Sequence, residues 1–209
     1  MALEDLLQYT TELRGAVGQL TKPRLVITAP HAACRSAVDV AQHTCDVVCA
    51  RVAEEINKSL SVSEVMPKLF KADINRMDMD MNRPEARGSD FRNAVDQELA
   101  GAVFLLDVHS FPELDIPWDV DLFLLKLSYG GNNSEIVYDL SKYLIAEGLN
   151  VAVVKAEKPN DVVLSAIERK VPAVLVEFSE PQVEKNGELV KKFVTGFQKF
   201  LKEKLRGEK

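Results

Sequence analysis

The sequence lacks any apolar run approaching the roughly 18 to 20 residues that a membrane span requires, so no membrane partner is expected. Its first fifteen residues carry acids early and have no basic-then-apolar order, which argues against a secretory signal and for a cytoplasmic location. Cysteine is scarce. Cys34, Cys45 and Cys49 make an odd, low count that fits reduced thiols and not a disulfide framework. Basic residues are in deficit: 26 Lys and Arg against 32 Asp and Glu leave a net charge of -6. Such a chain repels phosphate backbones, so nucleic acid is not an expected partner. Internal repeats, low-complexity segments and linkers are also missing, and 209 residues suffice for one core. A single domain over 1–209 is the expectation.

What is present is an alternation of strand-like and helix-like segments. Leu3, Leu6, Leu7, Leu13, Val17 and Leu20 have helical spacing, and Pro23 ends that element. Leu25, Val26 and Ile27 read as a short buried strand running into Pro30 and His31. Ser36 is placed to cap a long helix reaching about Lys58, with a strand over 63–70 behind it. Residues 71–87 have no apolar periodicity. A helix is expected over 90–100, and 102–108 is a continuous apolar run ended by His109, as in a central strand. Further strands are expected at 120–127, 151–154 and 174–176, with helices at 134–147 and 160–170 and Gly148 just past the first of these. Beyond Pro181, Leu189, Phe193, Phe197, Phe200 and Leu201 mark a final amphipathic helix. The pattern predicts an α/β fold: a three-layer α/β/α sandwich around a mostly parallel, mixed central sheet.

Three polar residues, His31, His109 and Glu177, each fall at or just past the end of a predicted buried strand. Ligands of open α/β sheets bind outside the carboxyl ends of the strands. Two imidazoles, a third ligand and a nearby carboxylate form the donor set of a catalytic zinc site. Two residues compete for the third position. Cys34 lies three residues after His31, in His-Ala-Ala-Cys, and Asp46 shares a predicted helix face with Asp39 and His43. Both stay open. Cys45 and Cys49, four apart on that helix, read as core. The stretch Asp78-Met79-Asp80-Met81-Asn82 resembles the opening of an EF-hand loop. Its sixth position is Arg83, not Gly, and its twelfth is Ser89, not Glu, which rejects calcium. A loop over the cleft, with Arg83, Arg87 and Arg92 as further carboxylate contacts, is expected instead.

Four segments in order resemble the N-formylglutamate amidohydrolase family, a relative of the zinc carboxypeptidases. They are Pro30-His31, Asp73-Ile74-Asn75-Arg76, Leu106-Asp107-Val108-His109-Ser110 and Leu175-Val176-Glu177. The resemblance covers about residues 24–180. It implies a zinc-carboxypeptidase-like fold with His31 and His109 as metal ligands. Asn75 and Arg76 would grip a substrate carboxylate, since Arg offers a planar fork to two oxygens. Glu177 would be the general base, with Arg76 beside it in the catalytic set, and Asp107 would orient His109. The implied reaction is zinc-dependent cleavage of an amide or N-acyl bond in a small molecule bearing a carboxylate.

The chain departs from that family in two places. Ala32, Ala33 and Cys34 replace a Gly-rich loop, and 155–160 lacks the family's Asn-x-Pro-aromatic-x-Gly segment. These departures leave two alternatives beside hydrolysis of an N-acyl amino acid. One is a catalytically lapsed carboxylate-binding protein of the same fold, and the other is a metallo-carboxypeptidase-like peptidase.

Overall fold

The computed structural model describes residues 22–36, 38–39, 44–112, 125–129, 133–156, 160–185 and 187–207. The expected helix over 3–20, His43, and residues 120–124 and 130–132 lie outside that set. Among the described residues six strands form: β1 (Arg24–Ala29), β2 (Met66–Lys71), β3 (Ala102–Phe111), β4 (Leu125–Tyr129), β5 (Val151–Lys155) and β6 (Ala173–Ser179), most of them apolar runs rich in Val, Ile and Leu. They join in one sheet of order β2-β1-β3-β6-β4-β5. Neighbours run parallel except β4, which pairs with β6 antiparallel. The α-helices with described bounds are α1 (Cys49–Leu60), α2 (Asp90–Leu99), α3 (Ser134–Ala146), α4 (Asp161–Glu168), α5 (Glu180–Lys185) and α6 (Glu188–Gly207).

The period-2 alternation of a strand decides which face each side chain enters. Leu25 and Ile27 of β1, Phe104, Leu106 and Val108 of β3, and Val174, Val176 and Phe178 of β6 point to one face. There they meet Val52 and Ile56 of α1, Leu140 and Leu144 of α3, and the Phe193, Phe197 and Phe200 stripe of α6. Val26, Leu105 and Ala173 point to the other face, against Val95 and Leu99 of α2 and Val162 and Ala166 of α4. Helices thus cover both faces, and the expected three-layer α/β/α sandwich with a mixed sheet is the observed one. Both faces being covered, the central strands need no polar alternation. Among the described residues no helix is long and apolar enough to cross a membrane.

Several boundaries differ from expectation. The helix predicted to run unbroken from Ser36 to about Lys58 is interrupted: Val38 and Asp39 are helical, Thr44 to Val48 are not, and α1 starts at Cys49. Cys34 and Cys45 are joined in a disulfide, with Cα atoms 5.3 Å apart, leaving Cys49 as a free buried thiol. This corrects the expectation of three reduced thiols and removes the cysteine argument for a reducing compartment. Residue counts cannot register that a folded-back loop brings two thiols together. Gly148 takes a φ of +77°, the left-handed conformation expected just beyond a helix end.

Candidate metal centre

The same alternation that buries Leu106 and Val108 on one face puts Asp107 and His109 on the other. Both strands flanking β3 contribute there. Thr28 of β1 stands opposite Asp107, and its hydroxyl donates to Asp107 Oδ1 at 2.6 Å. Glu177 of β6 stands opposite His109. His109 and Glu177 therefore lie two residues inside the ends of their strands, where they were expected at or just past them. His31 follows β1 through Pro30, and Asp46 sits on the turn before α1. The Asp46 backbone N–H donates to the His31 carbonyl at 3.0 Å, tying the two loops.

Asp46 Oδ2 is the hub. It lies 2.8 Å from His109 Nδ1 and 3.5 Å from His31 Nδ1, and the two imidazole rings are 4.8 Å apart between centroids. One donor atom from each of His31, Asp46 and His109 lies within 4.8 Å of the others, and all three residues are buried. Ligands about 3.3 Å apart would form the edge of a tetrahedron with bonds of about 2.0 to 2.1 Å.

The far nitrogens are already engaged. His31 Nε2 lies 2.8 Å from Asp80 Oδ1, and His109 Nε2 lies 3.1 Å from Asp107 Oδ2. A carboxylate only accepts, so Asp80 and Asp107 favour hydrogen on the two Nε2 atoms, the tautomer in which each Nδ1, the nitrogen facing Asp46, would offer its lone pair to a metal. Burial favours the neutral acid at Asp46, but the His109 and His31 rings outweigh it and hold that carboxyl well below its usual range. His31 Nδ1 is buried with no hydrogen-bond partner. A buried lone pair aimed at an anion is costly unless a cation lies between them. The donor set therefore fits a zinc ion, with Asp80 and Asp107 as the carboxylates that orient its two imidazoles.

Electrostatics around the set point the same way. Burial works against a charged His109, yet Asp107 and Asp46 raise its pKa well above the ordinary histidine value. Asp80, favoured as the acid by burial, is nevertheless pulled down to about 2 by its bond to His31. Asp46 and Asp107, on either side of the His109 ring, thus favour positive charge there. Asn160, the N-cap of α4, donates from Nδ2 to Asp107 Oδ2 at 2.8 Å and accepts from Val162 N with Oδ1. The Asn82 amide lies 2.9 Å from His109 Nε2.

His31, Asp46, Asp80, Asn82, His109 and Asn160 line a cleft of about 240 Å³ together with Arg76, Arg83, Ser110, Leu175 and Glu177, with Asp107 buried behind His109. Of the two residues rivalling for the third ligand, Asp46 faces the imidazoles, and Cys34 does not serve. Its sulfur is bonded to Cys45 and offers no thiolate, which corrects the expectation for Cys34. Arg76 lies on the cleft wall with Nη1 3.7 Å from Asp46 Oδ1. Asn75 does not line it. Its amide donates to the Ala33 carbonyl at 3.2 Å and accepts from Met77 N at 2.9 Å, so it braces the loop that carries His31. Arg87 and Arg92 are turned away and pair with Asp161, which corrects their expected place beside Arg83.

Sequence reasoning missed several contributors, Asn160 among them. Asp80 and Asn82 lay in the rejected calcium motif. Lys126 interrupts the apolar run Leu125 to Leu127, a signal that was readable, and its ammonium lies 2.7 Å from Glu177 Oε1. Glu180 left no local trace. Its Oε1 accepts from Ser110 Oγ at 2.7 Å and from Val47 N at 2.9 Å, linking the neighbours of His109 and Asp46.

No family model matches the sequence, and no curated protein matches it. Solved structures do resemble it. The gene product Atu2144 from Agrobacterium tumefaciens gives a TM-score of 0.64 at 16% identity, over 90% of this chain and 90% of that one. The catalytic domain of CwlV, an N-acetylmuramoyl-L-alanine amidase from Bacillus (Paenibacillus) polymyxa var. colistinus, gives 0.60 at 17% identity, over 88% of this chain and 98% of that one. A bacteriophage poly-gamma-glutamate hydrolase gives 0.53 at 12% identity, over 90% and 87% of the two chains. At these identities the likeness is one of fold: this chain has an α/β architecture in common with an amidase and a poly-gamma-glutamate hydrolase.

Proposed function

We propose that the protein is a zinc-dependent amidohydrolase that cleaves an amide or N-acyl bond near a substrate carboxylate, as its resemblance to N-formylglutamate amidohydrolases implies. The observation that carries this reading is the convergence of His31 Nδ1, His109 Nδ1 and Asp46 Oδ2 in one cleft that also holds Glu177. Two of the structurally similar proteins, CwlV and the phage enzyme, are named for amide-bond hydrolysis, which favours the same reaction class.

When bound, zinc supplies a Lewis acid that polarises a carbonyl and lowers the pKa of a water. The residues of the chain do the rest. Asp80 and Asp107 keep the two imidazoles in the tautomer that ligates. Lys126 engages Glu177 Oε1, leaving Oε2 to take the water's proton and return it to the leaving amine. Arg76 and Arg83, with side chains 36% and 50% exposed, retain the freedom to turn toward a substrate carboxylate.

Protein purified without a histidine tag is expected to hold one equivalent of zinc, with His31→Ala and His109→Ala retaining less than a tenth. Metal analysis checks this, and equal zinc in both variants would remove the metal from the mechanism. Glu177→Gln should lower kcat by about 10² to 10⁴ while zinc content stays at one equivalent. A second reading, a binder without turnover, draws on the ion pair that already engages Glu177. It requires a Glu177→Gln variant that binds ligand as the parent does and a parent with no hydrolysis of any N-acyl amino acid.

A further inference from the structure

The disulfide joins the two loops that carry metal ligands. Cys34 lies three residues after His31, and Cys45 immediately precedes Asp46. His109 needs no such support, because it is embedded in β3 between two paired strands. Asp46 belongs to no helix or strand. Besides the disulfide, its segment is held by a few polar contacts. Asp46 N donates to the His31 carbonyl, Ser110 N donates to Asp46 Oδ2 at 3.3 Å, Arg76 Nη1 lies 3.7 Å from Asp46 Oδ1, Val47 N donates to Glu180, and Asn75 reaches Thr44 Oγ1 at 3.5 Å and the Ala33 carbonyl at 3.2 Å. Only one of these, the Cys34–Cys45 bond, is covalent. It is also the one that chemistry can open: Cys34 is exposed, so a reductant reaches its sulfur, whereas Cys45 is buried.

Resting on the zinc reading above, we propose that the Cys34–Cys45 disulfide is the positioning element that holds Asp46 against the two imidazoles, and that its reduction by a dithiol weakens the metal centre. In that step the dithiol attacks the exposed Cys34 sulfur, the S–S bond breaks, and Cys45 leaves as a thiolate. The second thiol of the reductant then displaces Cys34. Two cysteine thiols form, each gaining one hydrogen, and the reductant closes to its own disulfide. Released from Cys34, the turn before α1 keeps only non-covalent contacts to fix Asp46. A ligand less well preorganised binds its metal less tightly.

The test is zinc affinity, measured by competition with a chromophoric chelator, on three samples of the full chain. These are the oxidised protein, the same protein reduced by a dithiol and desalted under nitrogen, and Cys34→Ser/Cys45→Ser. The serine variant removes any thiolate that could take up zinc itself. Thiol titration fixes the redox state, and circular dichroism checks the fold. The reduced protein and the double variant are expected to bind zinc at least fivefold more weakly, with affinity restored when the reduced sample is reoxidised. Weakening below fivefold, or tighter binding, overturns the proposal while leaving the metal centre intact. No zinc uptake by the oxidised protein would sink the metal centre itself and the proposal with it. Should the double variant not fold, the reduced and reoxidised wild type decide by the same threshold.

Discussion

Asp46, His31 and His109 form a site because of what stands behind them. An imidazole has two nitrogens, and only a partner at one of them settles which is free to ligate. Asp80 and Asp107 supply those partners, and neither is close in sequence to the histidine loop at His31. Asp80 is partly exposed and its carboxylate meets polar groups of His31, Asn82 and Arg83, so Asp80→Asn, which keeps an accepting oxygen, should leave the fold unchanged. It should lower zinc affinity by about 10- to 100-fold, because the amide no longer fixes His31 as an Nε2–H donor. Chelator competition reads that change, and parental affinity would show that the carboxylate has no orienting role. The residue scale is also where a motif proved informative for a different reason than expected. In Asp73-Ile74-Asn75-Arg76, Arg76 lies in the cleft, but Asn75 is turned into the protein and bridges the loops of Ala33 and Thr44.

Among the elements, α4 matters most to the site, through its N-terminus. Asn160 caps it and holds Asp107, and the helix is anchored by its next residue. Asp161 receives Arg92 at 2.8 Å and both nitrogens of the Arg87 fork at 2.7 and 2.8 Å. Arg92 is 1% exposed and also donates to Met81 O and Ser165 Oγ. Removing one partner of such a buried pair strands the other. Arg92→Met should therefore cost about 3 kcal/mol in urea unfolding, near the lower end for a broken buried pair because Arg87 remains. The pH dependence has a definite sign. Burial pushes the Asp161 carboxyl up, but Arg87 and Arg92 pull it further down, so its folded pKa lies below its ordinary value. The folded state then binds fewer protons than the unfolded chain. This stabilisation is complete above about pH 4 to 5 and is lost as pH falls through the folded pKa. Asp161→Asn should be less stable than the parent at neutral pH, and the gap should narrow below pH 4. A constant gap across that range would count against the ion pairs.

Across the whole molecule, the sheet brings distant segments together and zinc is expected to clamp them. A ligand that binds only the folded state at 100 times its Kd adds about 2.7 kcal/mol. For a chain of this length that raises Tm by about 5 to 10 °C. Thermal unfolding with and without excess zinc should show this rise in the parent and none in His31→Ala; no rise in the parent would deny a folded-state site. The α/β class, the three-layer order and the Phe193, Phe197 and Phe200 stripe were legible in the sequence. They follow from hydrophobic periodicity, which is a local property. So were His31, His109 and Glu177, since a polar residue at the end of an apolar run stands out. The third ligand was not legible. Cys34 and Asp46 were equal as donor types, and choosing between them required knowing which thiol Cys34 meets and which way the turn before α1 faces. Asp80, Glu180 and Lys126 likewise depend on contacts across 49, 70 and 51 residues of chain. Local patterning thus specified which segments become strands and helices. Only their packing decided which polar groups share the cleft, because the field at a side chain comes from neighbours in space and not from neighbours in sequence.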